Sequence, residues 1–301
     1  MRTLPLLAAL VFGTSLCLGQ SLVWQSPSPS LPEATALLTA VFPGSIQSDH
    51  NPSTSLPVCK PCPEYTTVGQ MQPGMAIHES FGLRTVIYGS FTARGAEEAV
   101  ASFEGCESHA TGFGGSILLR KLHGSWAMVD YTLALVTSAC QPYHLKTGRD
   151  LLLCEGEDHH MDATEEWIYV CDFSRQPTAR SRSVFGVLDT RNACGDSAIW
   201  GSIDKVRLRD LNGDGMPDLT LEVSVGQGTF SNPAGSCNAD TSHALVESQK
   251  LDFLFQQDTE SFLPAPDSKT LADRLQNLFK KAREKALKTV SPGSTPSPPP
   301  Q

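Results

Sequence analysis

Lys205-Val206-Arg207-Leu208-Arg209-Asp210-Leu211-Asn212-Gly213-Asp214-Gly215-Met216-Pro217-Asp218-Leu219-Thr220-Leu221-Glu222-Val223-Ser224-Val225 places two alternating segments around a polar loop. Before the loop, Val206 and Leu208 alternate with Lys205, Arg207 and Arg209. After it, Leu219, Leu221, Val223 and Val225 alternate with Thr220, Glu222 and Ser224. A period of two is that of a strand with one buried face. The unit reads as strand, loop, strand, and it sets the expectation of a β-rich fold. Within the loop, side-chain oxygens fall at the first, third, fifth and ninth positions (Asp210, Asn212, Asp214 and Asp218), with Gly215 at the sixth.

That spacing carries a chemistry. A hard cation such as calcium takes about six to eight oxygens at roughly 2.3–2.6 Å, and a glycine at the sharp turn avoids a Cβ clash. The loop is not an EF-hand, because the twelfth position, which would supply a bidentate glutamate, is Leu221. The run from Asp210 to Leu219, with its Pro-Asp-Leu exit, resembles the calcium loops of FG-GAP/VCBS repeats, the blades of integrin-type β-propellers. The resemblance implies side-chain ligands at Asp210, Asn212, Asp214 and Asp218, a backbone carbonyl ligand at Met216, and a structural calcium ion. With three anionic side chains the implied affinity is modest, on the order of 10⁻⁴–10⁻³ M. The residues alone leave a second reading open: an Asx-rich turn that closes a hairpin without metal.

Outside the loop, strand patterns fall at 84–92, 116–121, 125–136, 150–154, 167–173, 183–190 and 250–256, and the Ala-rich run 96–103 reads as a helix. A weak echo joins 148–153 and 167–173 to 216–221 and 251–255, with 116–119 and 126–129 as a third copy. Three copies of an Asp-Leu-type strand, a variable loop and a bulky strand suit propeller-like blades or a repeated meander. Leu271, Leu275, Leu278, Phe279 and Ala282 recur at helical spacing, and lysines and arginines crowd the C-terminal half of that segment. The expected fold is mainly β, an antiparallel sheet or meander with a C-terminal amphipathic helix. The expected divisions are a signal peptide at 1–19, a Ser/Pro-rich lead-in at 20–63 with a short helix at 32–42, a β-rich domain at 64–266, the helix at 267–289 and a disordered Pro-rich tail at 290–301.

Arg2, the apolar run from Leu4 to Leu16 and the Cys17-Leu18-Gly19 step form a secretory signal pattern, and no later apolar run is long enough to span a membrane. As a whole the chain resembles a bacterial secreted protein, and a secreted or periplasmic location is expected. The cysteines beyond the signal are Cys59, Cys62, Cys106, Cys140, Cys154, Cys171, Cys194 and Cys237, an even set that suggests disulfides in an exported chain. Closeness along the chain favours Cys140–Cys154 and Cys194–Cys237, and Cys59–Cys62 reads as a structural bridge. A net charge of −9 disfavours nucleic acid, whose phosphates require clustered lysine and arginine.

Other candidates are weaker. Glu155, Glu157, Asp158, His159, His160 and Asp162 read as a solvated acidic loop, with a zinc or second calcium site as the sharper alternative. No Gly-x-Ser-x-Gly occurs, and His123, Ser125 and Asp130 are neighbours in sequence without the signature of a triad. The function expected is a non-catalytic calcium-binding domain that presents a surface to a protein or glycan partner. The alternative is an extracellular hydrolase, metal- or carboxylate-dependent, that uses the calcium loop as support.

Overall fold

The computed structural model describes residues 20–21, 29–41, 46–50, 57–59, 81–104, 114–133, 135, 137, 139–160, 163–192, 197–229 and 240–289. The signal pattern, Cys62, Cys106, Cys194, Cys237 and the Pro-rich tail lie outside these residues, and so do the expected bridges Cys194–Cys237 and Cys59–Cys62.

The strands are β1 (Gln20–Ser21), β2 (Ile46–His50), β3 (Pro57–Cys59), β4 (Phe81–Gly89), β5 (Glu98–Glu104), β6 (Gly114–Leu122), β7 (Ser125–Leu133), β8 (Cys140–His144), β9 (Asp150–His160), β10 (Ala163–Cys171), β11 (Ser181–Asp189), β12 (Ser197–Arg209), β13 (Asp218–Thr229), β14 (Asp240–Gln256) and β15 (Ser261–Pro264). Among the described residues, two α-helices, α1 (Leu31–Val41) and α2 (Pro266–Thr289), and a short 3-10 turn at Pro177–Ala179 accompany the strands. The strands form three antiparallel sheets: six strands in the order β2-β3-β4-β5-β6-β7, four in the order β11-β10-β9-β8, and five in the order β1-β12-β13-β14-β15. The fold is mainly β with a C-terminal helix, as the alternation implied.

The four-stranded sheet is the middle layer. Leu152, Cys154, Tyr169 and Cys171 on one face pack with Ile87, Val100 and Leu118 of the six-stranded sheet. Leu151, Leu153, Ile168 and Val170 on the other face pack with Leu219, Leu221, Val223, Leu251 and Phe253 of the five-stranded sheet. A strand covered on both faces reads as an unbroken apolar run, which is why Leu151-Leu152-Leu153-Cys154 has no polar alternate. Helix α1 covers the outer face of the six-stranded sheet through Ala34, Leu37 and Leu38. Helix α2 contributes Ala272, Leu275 and Phe279 to the core between the middle and five-stranded sheets, and touches β11, β14 and β15. The echo seen in the sequence becomes the adjacent pairs β6–β7, β9–β10 and β13–β14, one in each sheet.

Three local expectations are corrected. Residues 98–104 form strand β5 instead of a helix: Ala99 and Ala101 face the α1 side while Val100 faces the middle sheet, so packing on two faces overrides the helix preference of alanine. Residues 46–50 and 57–59, placed by the sequence in the Ser/Pro-rich lead-in, pair as β2 and β3 at the edge of the six-stranded sheet. Gln20 and Ser21, read as lead-in, pair with Leu208 and Arg207, an edge contact made by backbone and invisible to side-chain pattern.

Arginines tie the layers together. Arg180 is fully buried, bonds Asp130 at 2.5 Å and Thr132 on β7, and lies over the Phe173 ring at 4.9 Å. Arg182 donates to the carbonyls of Thr259 and Glu260 in the turn between β14 and β15. The expected Cys140–Cys154 disulfide is present and joins directly opposed residues of β8 and β9.

Candidate metal centre

Strands β12 and β13 pair from Ser197↔Thr229 to Arg209↔Asp218, so the polar loop closes a hairpin in the middle of the five-stranded sheet. Leu221 is fully buried in the core below, which removes the twelfth position from any ligand role. Gly213 and Gly215 adopt φ of 78° and 80°, the left-handed region that glycine enters without a Cβ penalty.

The side chains fold back onto the loop. Asp210 accepts the N–H of Gly213 at 2.7 Å on Oδ1 and that of Gly215 at 2.9 Å on Oδ2. Asn212 Oδ1 accepts the N–H of Asp214 at 2.9 Å, and Asp214 Oδ1 accepts that of Met216 at 2.8 Å. Asn212 Nδ2 donates to Asp214 Oδ2 at 3.2 Å. Asp218, fully buried, accepts the N–H of Leu211 on Oδ2 and that of Phe255 on Oδ1, each at 2.8 Å. The Met216 side chain is buried in the core and pins the loop's exit. Asp210, Asn212 and Asp214 are exposed.

Backbone N–H groups, that of Gly215 foremost, hold the Asp210 carboxyl below its ordinary range, so it remains ionised through the physiological span. Two groups from the middle layer support the loop. The Tyr143 hydroxyl donates to Pro217 O at 2.6 Å, and Lys146 Nζ donates to Asp214 O at 2.5 Å. Burial pushes the Tyr143 phenol up, and the nearby charges of Asp218 and Asp214 push it further. Beneath it, Tyr143, Phe255 and Phe262 form a ring cluster with centroids 4.7–5.3 Å apart. Neither Tyr143 nor Lys146 was legible in the loop's own sequence, since both arrive from another sheet.

As it stands, the loop is a network of Asx turns. Among the described residues no group of three or more His, Cys, Asp or Glu side chains is arranged as a metal cage. The donor set still suits a hard cation: carboxylates, an amide oxygen and backbone carbonyls, with no nitrogen or sulfur ligand. Each carboxylate oxygen that accepts one N–H keeps a second acceptor site. The fit therefore rests on Asp210, Asn212 and Asp214 at the exposed mouth, Asp218 at the base and the Met216 carbonyl.

The other candidates are dispersed. Residues 155–160 continue strand β9 instead of forming a loop, because they pair with β10 as far as His160↔Ala163. Glu155 and Glu166 are half-buried, and burial first, then neighbouring carboxylates with Glu157 common to both, raise the two carboxyls. His159 is exposed, with Nδ1 at 2.9 Å from Thr164 Oγ1 and Nε2 at 3.2 Å from Glu157. Asp162 lies outside the described residues, as does the side chain of His160. His123 sits in the β6–β7 turn, Ser125 is exposed and Asp130 is engaged by Arg180, so these three form no triad. Cys171 is buried without a disulfide, and burial pushes its thiol up to about 12, which leaves it a poor nucleophile.

No protein-family model, no curated protein and no solved structure matches this chain.

Proposed function

We propose that this chain is a secreted or periplasmic, non-catalytic calcium-binding domain that presents a surface to a protein or glycan partner. The observation that carries the reading is the loop from Asp210 to Asp218, in which ionised oxygen ligands and left-handed glycines lie between two core strands. Asp210, Asn212, Asp214 and Asp218 would hold the ion together with the Met216 carbonyl, and the bound ion would neutralise three carboxylates at a strand junction. Asp218 links that junction to β14 through Phe255, so occupancy would stabilise the sheet as a whole. The exposed position of His159, and the separation of His123, Ser125 and Asp130 from one another's chemistry, support the non-catalytic reading over a hydrolase. No described helix is long and apolar enough to cross a membrane.

A thermal melt of the oxidised, mature chain tests this. Calcium at about ten to a hundred times Kd should stabilise by roughly 1.4–2.7 kcal/mol, a rise of about 3–8 °C for a domain of this size. Magnesium should give a much smaller shift, because it demands a tighter octahedral shell and sheds water reluctantly. A metal-free sample with no shift in calcium removes the reading and leaves the Asx-turn network as a plain hairpin closure.

A further inference from the structure

Helix α2 leaves a groove of about 780 Å³ against the face of β13 and β14, a volume within the range of ligand clefts. Buried Val225 and Leu275, with half-buried Leu278, supply its apolar lining. Val225 pairs with Glu247, so Gln227 and Gln249, two residues further along each strand, face the same way. From the helix, Arg274, Asn277 and Lys281 enter the groove at i, i+3 and i+7, one side of α2. Gln227, Arg274, Asn277 and Lys281 are exposed, and among the described residues none of their side chains has a hydrogen-bond or ion-pair partner. Gln249 Nε2 donates to Glu247 Oε2 at 3.2 Å, which leaves that carboxylate further acceptor sites. One wall thus carries two uncommitted cations, roughly 10 Å apart along the helix axis, and the other carries amides and a carboxylate.

We infer that this groove binds a linear acidic glycan, a chain of sugars that carry both carboxylates and hydroxyls. This rests on the non-catalytic binding role proposed above and not on calcium. Arg274 offers a planar fork that suits a carboxylate, and Lys281 offers a second positive point two turns away. Gln227, Gln249 and Asn277 each donate and accept, as a sugar hydroxyl does. Glu247 can only accept when ionised, so it needs a ligand that brings protons as well as negative charge; a hydroxyl does this and a bare polyanion does not. The apolar lining suits the C–H faces of sugar rings. A nucleic acid is a poor match, because no aromatic side chain lines the groove to stack a base. An extended peptide is a poor match as well. Along this stretch β13 is already hydrogen-bonded to β12 on one side and β14 on the other, so it has no free edge to pair with a peptide backbone.

Isothermal titration of the full, oxidised chain with a linear oligogalacturonate, in chelator and at low salt, tests the assignment. The uronate should bind, more weakly as salt rises, and a neutral oligosaccharide of the same length should not. Arg274→Gln and Lys281→Gln should each weaken Kd by about twofold to fivefold, and together by about tenfold. Lys280→Gln removes a neighbouring exposed charge that does not line the groove and should leave Kd unchanged. A uronate that fails to bind overturns the inference. Equal weakening by Lys280→Gln overturns the groove, since general attraction to a basic helix would then be the cause. Polyglutamate that binds as well as the uronate overturns the glycan assignment. Every arm runs without calcium, so failure here leaves the reading of the Asp210–Asp218 loop to its own test.

Discussion

Arg149 and Asp172 are joined at 2.7 Å inside the fold, and from that position Arg149 reaches both outer layers. Its Nη1 also donates to Phe91 O at 3.3 Å, beyond the end of β4, and its Nη2 to Glu260, in the turn before β15. Asp172 is almost fully buried and also accepts bonds from Ser174 and Arg175. One guanidinium thus meets segments belonging to all three sheets. Arg149→Ala should cost about 1–3 kcal/mol, because it removes one of the two guanidinium partners of a buried carboxylate and leaves Arg175 and Ser174 in place. Urea unfolding measures it, and a loss below about 1 kcal/mol would show that the bridge is ornamental.

Two sets of carboxylates impose opposite pH dependence. Burial foremost raises the pKa of both Glu155 and Glu166, helped at Glu155 by the charges of Glu166 and Glu157 and at Glu166 by those of Glu157, Asp189 and Asp204, so the folded state binds their protons more tightly than the unfolded chain does. Their penalty is full above the folded pKa and fades as pH falls toward the unfolded value of about 4.3. Glu155→Gln should raise the midpoint at pH 7 and flatten its dependence in that window, by a few tenths of a kcal/mol once solvent screening is counted. Asp172 behaves in the reverse sense. Burial opposes its charge, yet bonds from Ser174 and Arg175 and the charge of Arg149 hold its pKa down. Its contribution is present above about 3.9 and is lost as pH falls through the folded value. Melts from pH 3 to 8 should show stability rising and then falling on acidification; a monotonic curve would contradict one of the two assignments.

Trp200 and Gly226 face each other across β12 and β13, and a Cβ on Gly226 would lie 2.3 Å from the indole. Trp167 and Gly156 are opposed in the same way on β10 and β9, at 2.7 Å. Gly226→Ala and Gly156→Ala should each destabilise by about 1–3 kcal/mol through overpacking. Each should also shift tryptophan emission. Wild-type emission and stability would show that the rings have room to move.

The Cys140–Cys154 bond spans a sequence separation of 14. Replacing both cysteines with serine should lower stability by about 3 kcal/mol in the chain-entropy view. Reductant should lower the wild type's stability by more than the variant's, the difference matching most of that loss. Equal reductant sensitivity in both would place the relevant bond elsewhere.

Asp214→Ala removes the fifth-position oxygen of the loop and the bond that receives the Met216 N–H. The variant should lose the calcium-dependent rise in midpoint while its calcium-free stability falls by about 1–2 kcal/mol, the worth of the bonds from Met216 and Asn212. A variant that still responds to calcium like the wild type would remove Asp214 from the ligand set.

Much of the architecture was legible where one face meets solvent. Leu219, Leu221, Val223 and Val225 alternate because Thr220, Glu222 and Ser224 lie on the other side of the sheet, and α1 and α2 announced themselves through apolar spacing. The Cys140–Cys154 pair followed from proximity. The misreadings fell where a neighbour decides conformation. Ala99 and Ala101 carry a helix preference that only the α1 packing overrides, and Gln20 gains a strand partner at Leu208 through backbone alone. At the candidate site, the loop residues and the turn at Gly215 were legible because their spacing is local. Tyr143 and Lys146 were not, since no short-range pattern encodes a contact between sheets.

The doubly covered middle sheet has a consequence for how the chain finds its alignment. In a sheet with one wet face, sliding a strand by one residue moves its apolar side chains into water, and that cost enforces the correct pairing. In β9 the same slip would exchange Leu151 and Leu153 for Leu152 and Cys154, trading one oily environment for another. Hydrophobicity is therefore nearly blind to the error there. Alignment has to come from features that tolerate one partner only: the cystine joining Cys154 to Cys140, the indole of Trp167 seated over Gly156, and the Asp150 carboxylate receiving the Ser90 N–H. The cystine admits only the register that places Cys154 opposite Cys140, so closing it fixes the alignment that apolar burial leaves open.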